Sequence, residues 1–265
     1  MKKYYVIGDP INHSLSPELH NYWIKKNNLK AFYDKKKIKE NELSDLVTLI
    51  KKKEINGLNI TIPYKKTVIS YLDSLSIEAE KTQSVNTITL YENKLVGHNT
   101  DIDGFKLAIE KTNIKIKEKI ILILGAGGVV PSLIYALKKM DAIKIIISNR
   151  TRQKAENLKK LFNDLEIIDW GGTPQCDVVI NATSIGLKEN DEMSLKFENF
   201  GKNKLFFDVI YNPKETNFLK TGKKLGNLSV NGKYMFVYQA MLAFKLWHGI
   251  TPKIDNEVIK LLNHD

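Results

Sequence analysis

Two groups of residues in this chain have types and spacings that could do chemistry. The first is Gly125-Ala126-Gly127-Gly128, which follows the apolar run Ile120–Leu124 and precedes a helical pattern over about 129–140. A second apolar run, 143–148, ends on Asn149-Arg150-Thr151-Arg152, with Lys154 one helical step beyond. Strand, glycine turn, helix, strand is a mononucleotide-binding half-unit. Glycines let the backbone approach phosphates, and the free N–H groups and dipole of a helix N-terminus favour their negative charge. Val130 stands where the third glycine of G-x-G-x-x-G would be, so the fingerprint is incomplete and a bland glycine turn competes with it. The end of the second run says more. An NAD site usually carries Asp or Glu there for the ribose 2′-hydroxyl. Here stand Asn149 and Arg150, and Arg150 and Arg152 are the only arginines of a lysine-rich chain. A solvated basic helix start would also place cations there, but a forked guanidinium suits a 2′-phosphate. The expected cofactor is NADP, on Gly125, Ala126, Gly127, Gly128, Asn149, Arg150, Thr151, Arg152 and Lys154.

The second group is polar and scattered. In Gly57-Leu58-Asn59-Ile60-Thr61-Ile62-Pro63-Tyr64-Lys65, apolar Leu58, Ile60 and Ile62 alternate with Asn59 and Thr61. The spacing predicts a strand with both polar side chains on one face, ended by Pro63, with Lys65 opening the next helix. A polar face at the carboxyl end of a strand, followed at once by a lysine, is where open α/β sheets bind ligands. Asp101, in Asn99-Thr100-Asp101-Ile102-Asp103-Gly104, either caps the helix that carries Phe105, Leu107 and Ala108 or meets Lys65 if the two polar clusters converge. Ser14-Leu15-Ser16-Pro17 predicts a helix start with Pro17 in its first position and Ser16 as cap. The two hydroxyls serve as caps and turn formers on one reading and as a carboxylate cradle on the other. Spacing does not separate the two.

The elements that must position these residues alternate along the chain. A strand at 4–7, a helix behind Pro17, a strand near 31–33 and an amphipathic helix near 42–50 give a β-α-β-α pattern. A strand begun at 84–88 folds back at Glu92-Asn93-Lys94 into 95–98. Past Arg152 come a helix near 155–162 and strands near 166–168, 178–181, 205–210 and 228–230, the last before Asn231-Gly232. Residues 234–247 are apolar nearly all round, which predicts a buried helix. Gln239 lies in its middle, and a buried amide without partners costs about 1–3 kcal/mol, so either a backbone group or a ligand in a polar cleft must meet it. A helical tail at 256–262 is expected to pack back on the first domain. Together these predict an α/β protein of two α/β domains with a cleft between them. An N-terminal substrate-binding catalytic domain spans 1–101 and is completed by the C-terminal helices in 237–265. A Rossmann-like NADP-binding domain spans 102–236.

Composition narrows the function classes. A chain of 265 residues at 43% hydrophobic is long enough for one large or two medium domains. No apolar run reaches the length of a membrane span, and Met1-Lys2-Lys3 leads straight into a strand rather than a signal peptide, so the expected location is cytoplasmic, away from any membrane. The single cysteine, Cys176, excludes an internal disulfide and, with no histidine near it in sequence, makes a poor nucleophile. A net charge of +11 permits nucleic-acid binding. The lysines are spread out, however, and no aromatic-basic module appears, so no nucleic-acid partner is expected. Five scattered histidines support no metal site. The expected assembly is a monomer or homodimer.

Ser14-Leu15-Ser16-Pro17, Asn59-x-Thr61-x-Pro63-x-Lys65, Val85-Asn86-Thr87 and Asn99-Thr100-Asp101 closely resemble, in order, the motifs of the shikimate dehydrogenases. The glycine loop, Asn149-Arg150-Thr151, Asn181-Ala182-Thr183-Ser184-x-Gly186, Asp208-x-x-Tyr211-Asn212-Pro213 and Gln239-Ala240 extend the resemblance over nearly the whole chain. It implies reversible NADPH-dependent reduction of 3-dehydroshikimate to shikimate, in aromatic amino-acid biosynthesis. It implies that Ser14 and Ser16 hold the substrate carboxylate, and that Asn59, Thr61, Asn86, Asp101, Tyr211 and Gln239 surround the ring and its hydroxyls. Thr183 and Gly232 join the cofactor residues, and Lys65 and Asp101 form the catalytic pair. Hydride delivery to a carbonyl leaves an alkoxide that needs a proton or a cation at the same moment, and an ammonium supplies either. A carboxylate beside an amine favours its charged form, which helps reduction and hinders the reverse.

The chain departs from the family's pattern at Val130-Pro131-Ser132, where small or basic residues are more usual, and at Ser84, where glycine or alanine commonly precedes Val85. Two alternatives stand beside this reading. An NAD-using quinate/shikimate dehydrogenase is opposed by Asn149-Arg150-Thr151-Arg152 and the serine pair. A non-catalytic NADP-binding sensor would tolerate loss of Lys65 and Asp101, yet both are present.

Overall fold

The computed structural model describes residues 1–188 and 191–262. The chain divides into two compact units, Met1–Gly104 with Val237–Asp265, and Phe105–Phe236.

In the first unit, β1 (Lys2–Gly8), β2 (Ala31–Lys37), β3 (Gly57–Ile60), β4 (Ser74–Leu75), β5 (Thr87–Tyr91) and β6 (Lys94–His98) form one sheet in the order β2-β1-β3-β5-β6-β4. β1 pairs parallel with β2 and β3, and helices α1 (Ser16–Lys26) and α2 (Leu43–Lys51) make the crossovers that parallel pairing requires. β5 and β6 form an antiparallel hairpin. Its turn residues Glu92 and Asn93 both have positive φ, 46° and 62°, the turn whose twist matches the strands it joins. α2 buries Leu43, Leu46, Val47 and Ile50, spaced three and four apart, in a core with Ile7, Leu58, Ile60, Val85 and Ile88. Because side chains alternate across a strand, Asn59 points to the face opposite Leu58 and Ile60, and the register sets it beside Thr87.

β3 stops at Ile60, earlier than the alternation predicts. Ile62, expected inside, is 55% exposed, and residues 62–66 form a turn leading into a 3-10 helix, Thr67–Tyr71. Lys65 therefore lies in a turn and does not open a helix. Pro63 has no N–H to extend the ladder, and it restricts the residue before it. Ser16 is not a cap either. It is itself the first helical residue, Leu15 holds the cap position, and no side chain caps the end. Pro17 is tolerated one place further in, since the first-turn N–H groups lack helical partners anyway. A short helix α3 (Ile77–Thr82), capped by Ser76 accepting from the Ala79 amide at 3.2 Å, and the two-residue β4 were not predicted.

After α4 (Asp101–Glu110), the second unit forms a parallel sheet from β7 (Ile120–Leu124), β8 (Lys144–Ser148), β9 (Glu166–Ile168), β10 (Val178–Asn181), β11 (Leu205–Asp208) and β12 (Leu228–Val230). The order is β12-β11-β10-β7-β8-β9, so the direction of travel reverses between β7 and β10. The connections include α5 (Val130–Lys139), α6 (Arg152–Leu161) and α7 (Asn217–Lys224). Burial on both faces explains the unbroken apolar runs: Ile121, Leu122, Ile123 and Leu124 are all fully buried. The register aligns Leu124 with Ser148 and Asn181, and Asn181 with Asp208. The loops after these four strands thus leave the sheet at one level.

α8 (Lys233–His248), expected to be buried all round, is fully buried along the stripe Val237, Ala240, Ala243 and Phe244, while Leu246 is 43% exposed. In α9 (Asn256–Leu261), Glu257 accepts from the Tyr22 hydroxyl at 2.6 Å and pairs with Lys26 at 2.8 Å, which fastens the tail to α1. The divisions between the units fall inside α4, at Gly104 rather than at 101, and inside α8, at Phe236. No helix among the described residues is long and apolar enough to cross a membrane.

Candidate active site

Lys65 and Asp101 meet. Lys65 Nζ donates to Asp101 Oδ2 at 2.5 Å, and the two side chains are 12% and 8% exposed. The turn bearing Lys65 is held by its own carbonyl, which accepts from the Val85 amide at 2.8 Å, and by the buried Tyr64, whose hydroxyl donates to Ile38 O at 2.7 Å. Asp101 opens α4, and its second oxygen accepts from Asn86 Nδ2 at 2.9 Å. A pair withdrawn this far from water gains little net stability, because desolvation offsets attraction. What the arrangement can do chemically is give up a proton, from an ammonium aimed by a fixed carboxylate.

Around this pair, Asn59 and Asn86 are buried and hydrogen-bonded inside the protein. Asn59 Nδ2 donates to Asn86 O and to Thr87 Oγ1, both at 3.0 Å, and its oxygen accepts from the Tyr33 hydroxyl at 2.6 Å. Asn86 donates to Thr100 Oγ1 as well as to Asp101, and accepts from the Thr100 amide at 2.8 Å. By contrast, the hydroxyls of Ser16 and Thr61 have no hydrogen-bond partner among the described residues, while Ser14 Oγ accepts from the Ser16 amide at 3.3 Å. The loop that carries the serines is tied to β2 by Lys35 Nζ donating to Asn12 O at 2.7 Å and by a 3.0 Å Lys37–Asp9 pair. Gln239 lies on α8 where that helix touches α4. A β-carbon at Gly104 would come within 2.9 Å of Gln239 N and Cβ, so only glycine allows this approach.

In the second unit, the glycine loop leaves β7 at the reversal of strand order, where open α/β sheets take ligands. Gly125 has φ 110°, and a β-carbon there would sit 2.8 Å from Ala182 O in the loop after β10. Gly127 and Gly128 are exposed, Ala126 is half-buried, and no side chain caps α5. Val130, in place of a third glycine, is fully buried. Arg150, Thr151 and Lys154 are exposed, and Asn149 Nδ2 donates to Thr151 O at 2.7 Å. Arg150 has no ion pair or side-chain hydrogen bond among the described residues. Arg152, expected alongside it, is divided between Asp169 at 2.8 Å and Glu156 at 3.3 Å. Exposed glycines before a helix without a side-chain cap, together with a guanidinium one strand over that has no partner among the described residues, fit a dinucleotide with a 2′-phosphate.

Asn181 and Asp208, at the ends of β10 and β11, organise the neighbouring loops. Asn181 Oδ1 accepts from the Thr183 amide at 3.1 Å and the Thr183 hydroxyl at 2.7 Å, and its amide donates to Asp208 Oδ1 at 3.1 Å. Asp208 also accepts from the Ile210 amide at 3.0 Å and the Thr216 hydroxyl at 2.6 Å. Burial nevertheless pushes its carboxyl up to about 6. The Gly232 amide donates to Ile210 O at 3.0 Å, and Tyr211 stacks on Phe236 with ring centroids 4.3 Å apart.

Tyr33, Thr87, Asn181 and Asp208 were given no role by the sequence. Thr87, Asn181 and Asp208 lie inside the quoted motifs, and a carboxylate ending a buried strand marks Asp208 further. Nothing in the pattern around Tyr33 marks it.

Residues 6–88 match the shikimate dehydrogenase substrate binding domain, 106–217 match shikimate / quinate 5-dehydrogenase, and 234–256 match the shikimate 5'-dehydrogenase C-terminal domain. The chain is 57% identical over 262 residues to a shikimate dehydrogenase (NADP(+)) of Pelagibacter ubique, covering 99% of each. Among solved structures it is similar to shikimate dehydrogenase from Aquifex aeolicus, at 34% identity and a TM-score of 0.90, covering 100% of this chain and 98% of that one. It is also similar to the Thermus thermophilus shikimate 5-dehydrogenase in complex with NADP(H) and shikimate, at 30% identity and a TM-score of 0.89, covering 99% and 97%. Likeness of this degree runs from the serine loop through the Lys65 turn and the glycine loop to α8, and on it the chain belongs to the shikimate dehydrogenase family.

Proposed function

We infer that this chain catalyses the reversible NADPH-dependent reduction of 3-dehydroshikimate to shikimate, in the route to chorismate and the aromatic amino acids. The observation that carries the reading is the Lys65 ammonium held 2.5 Å from Asp101. In the reduction, bound NADPH supplies the hydride to the carbonyl carbon. Charge then gathers on the carbonyl oxygen, and Lys65 gives that atom its proton. In the reverse direction Lys65 takes the proton of the same hydroxyl. Asp101 keeps the amine aimed and is open to a ring hydroxyl.

The first unit is assigned the substrate. Ser16 and Ser14 take the carboxylate at the N-terminus of α1, where the helix dipole favours negative charge. Thr61 and Gln239 are assigned to the ring hydroxyls, as is Tyr211. Asn59 and Asn86 stand a layer deeper, because the N–H groups of Asn59 are spent on Asn86 and Thr87 and those of Asn86 on Thr100 and Asp101. The second unit is assigned NADP: the backbone from Gly125 to Gly128 for the diphosphate, Arg150 for the 2′-phosphate with Asn149, Thr151 and Lys154 beside it, and Thr183 and Gly232 further along. Arg152, held by two carboxylates, contributes less. A cytoplasmic location fits Cys176, a lone thiol that burial pushes up to about 12.

Initial rates with shikimate and quinate, each with NADP+ and NAD+, test the reading. Shikimate with NADP+ should give the highest kcat/KM, and quinate with NAD+ matching it would overturn the assignment. Lys65→Ala should lower kcat by about two to four orders of magnitude while substrate KM changes less. Near-normal turnover in that variant would remove Lys65 from the mechanism. Melting temperature belongs beside the rates, since the variant leaves Asp101 without its cation.

A further inference from the structure

Behind the Lys65–Asp101 pair, five buried side chains are joined end to end: Tyr33, Asn59, Thr87, Asn86 and Asp101. Tyr33 Oη lies 2.6 Å from Asn59 Oδ1, and Asn59 Nδ2 lies 3.0 Å from Thr87 Oγ1. Thr87 Oγ1 lies 3.0 Å from Asn86 Oδ1, and Asn86 Nδ2 lies 2.9 Å from Asp101 Oδ1. The proton positions follow from two neighbours that have no choice. The Asn86 backbone carbonyl can only accept, so Asn59 must turn its NH2 toward it. The Thr100 backbone N–H can only donate, so Asn86 must turn its amide oxygen toward it. Thr87 then receives a proton from Asn59 and gives its single proton to Asn86. The oxygen of Asn59 is left facing the Tyr33 phenol, which donates. Every bond runs in one sense, from Tyr33 to Asp101, and Lys65 donates to the remaining carboxylate oxygen.

We propose that Tyr33 and Thr87 are positioning residues for the proton transfer made by Lys65, acting through Asn59 and Asn86 to hold Asp101 in one orientation. The proposal rests on Lys65 being the proton donor. Hydrogen bonds joined head to tail polarise and strengthen one another. A carboxylate with a fixed donor on each oxygen does not rotate, so the ammonium keeps a single direction. Cutting the series leaves the substrate's own contacts in place and blurs that direction, which slows proton transfer more than it weakens binding.

The test compares the unmodified enzyme with Lys65→Ala, Thr87→Val, Thr87→Ser, Tyr33→Phe and the Tyr33→Phe/Thr87→Val double variant. Valine keeps the shape of threonine and removes both its donor and its acceptor, whereas serine keeps them. The readouts are kcat and shikimate KM per active site, counted by NADP+ binding stoichiometry, in H2O and in D2O. Thr87→Val should lower kcat by about tenfold, raise the solvent isotope effect and leave KM within about twofold, as loss of orientation does. Thr87→Ser should recover most of that rate. The double variant should be no slower than Thr87→Val alone, because a series already cut no longer transmits its far end.

A Thr87→Val enzyme within about twofold of normal kcat would overturn the proposal, as would a lowered kcat with an unchanged isotope effect, or a Thr87→Ser enzyme as slow as the valine variant. If Thr87→Val does not fold, Tyr33→Phe reads the same series from its other end. It should lower kcat and raise the isotope effect, and failure to do either would equally sink the proposal. A normal rate in Lys65→Ala would defeat the proton-donor reading instead. A slow Lys65→Ala beside a fast Thr87→Val defeats only the positioning role.

Discussion

Arg152 divides its guanidinium between Asp169 and Glu156, while Arg150, two residues earlier, is exposed and has no partner among the described residues. Arg150→Ala should therefore weaken NADPH by about tenfold to a hundredfold, the worth of charge-assisted hydrogen bonds, and weaken NADH far less. Arg152→Ala should cost little, since exposed pairs contribute about 0–1 kcal/mol and its charge is already engaged. Dissociation constants for both nucleotides decide it, and equal losses of NADPH and NADH in Arg150→Ala would mean that this arginine does not read the 2′-phosphate. His20 offers a test of a different kind. It is 1% exposed, stacks on Tyr33 at 4.1 Å, and neither ring nitrogen has a partner among the described residues. Burial, then repulsion from His248, pushes it down to about 3. The unfolded chain takes up that proton near pH 6.5 and the folded one resists it, so stability is lost as pH falls from about 6.5 toward 3, at up to about 1.4 kcal/mol per pH unit. His20→Phe keeps the stack and removes the titration. Its melting temperature should fall less steeply with acid than that of the unmodified protein, and parallel curves would contradict this.

The contact of α4 with α8 turns on one missing side chain. Gly104→Ala should force the two helices apart at Gln239 and cost about 1–3 kcal/mol, as overpacking does. Shikimate KM should rise while NADP+ affinity holds, and unchanged melting temperature and KM together would show that α8 gives way freely. The elements themselves were legible in the sequence wherever burial leaves a period. β7, β8 and β10 announce themselves as apolar runs because helices cover both faces, and α2 by its spacing of three and four. Lys65 was placed on the wrong kind of element because alternation at Leu58, Ile60 and Ile62 outlasts the strand, and Pro63 ended the ladder sooner than the pattern did. β4 and α3 are too short for any period to register. The candidate site was legible through its motifs, which gave residue types in order. The bonds from Tyr33 to Asn59 and from Asn59 to Thr87 were not, because they join separate strands and depend on register. The commitment of Arg152 was hidden likewise, since Asp169 lies on another loop.

At the scale of the molecule, the second unit is one unbroken stretch, and the first is completed only by Val237–Asp265. Phe244 and Trp247 of α8 supply part of the aromatic core around Tyr4, His20, Trp23 and Tyr33. On the ribosome the amino-terminal sheet thus emerges first and is finished last, with its apolar face waiting for residues made more than a hundred codons later. That reverses the common amino-terminal-first order of domain folding and leaves a nascent intermediate that chaperones should recognise. Translation halted near residue 236 should yield protease resistance in the middle of the chain before its beginning, and early resistance of residues 1–104 would show that the sheet closes without α8.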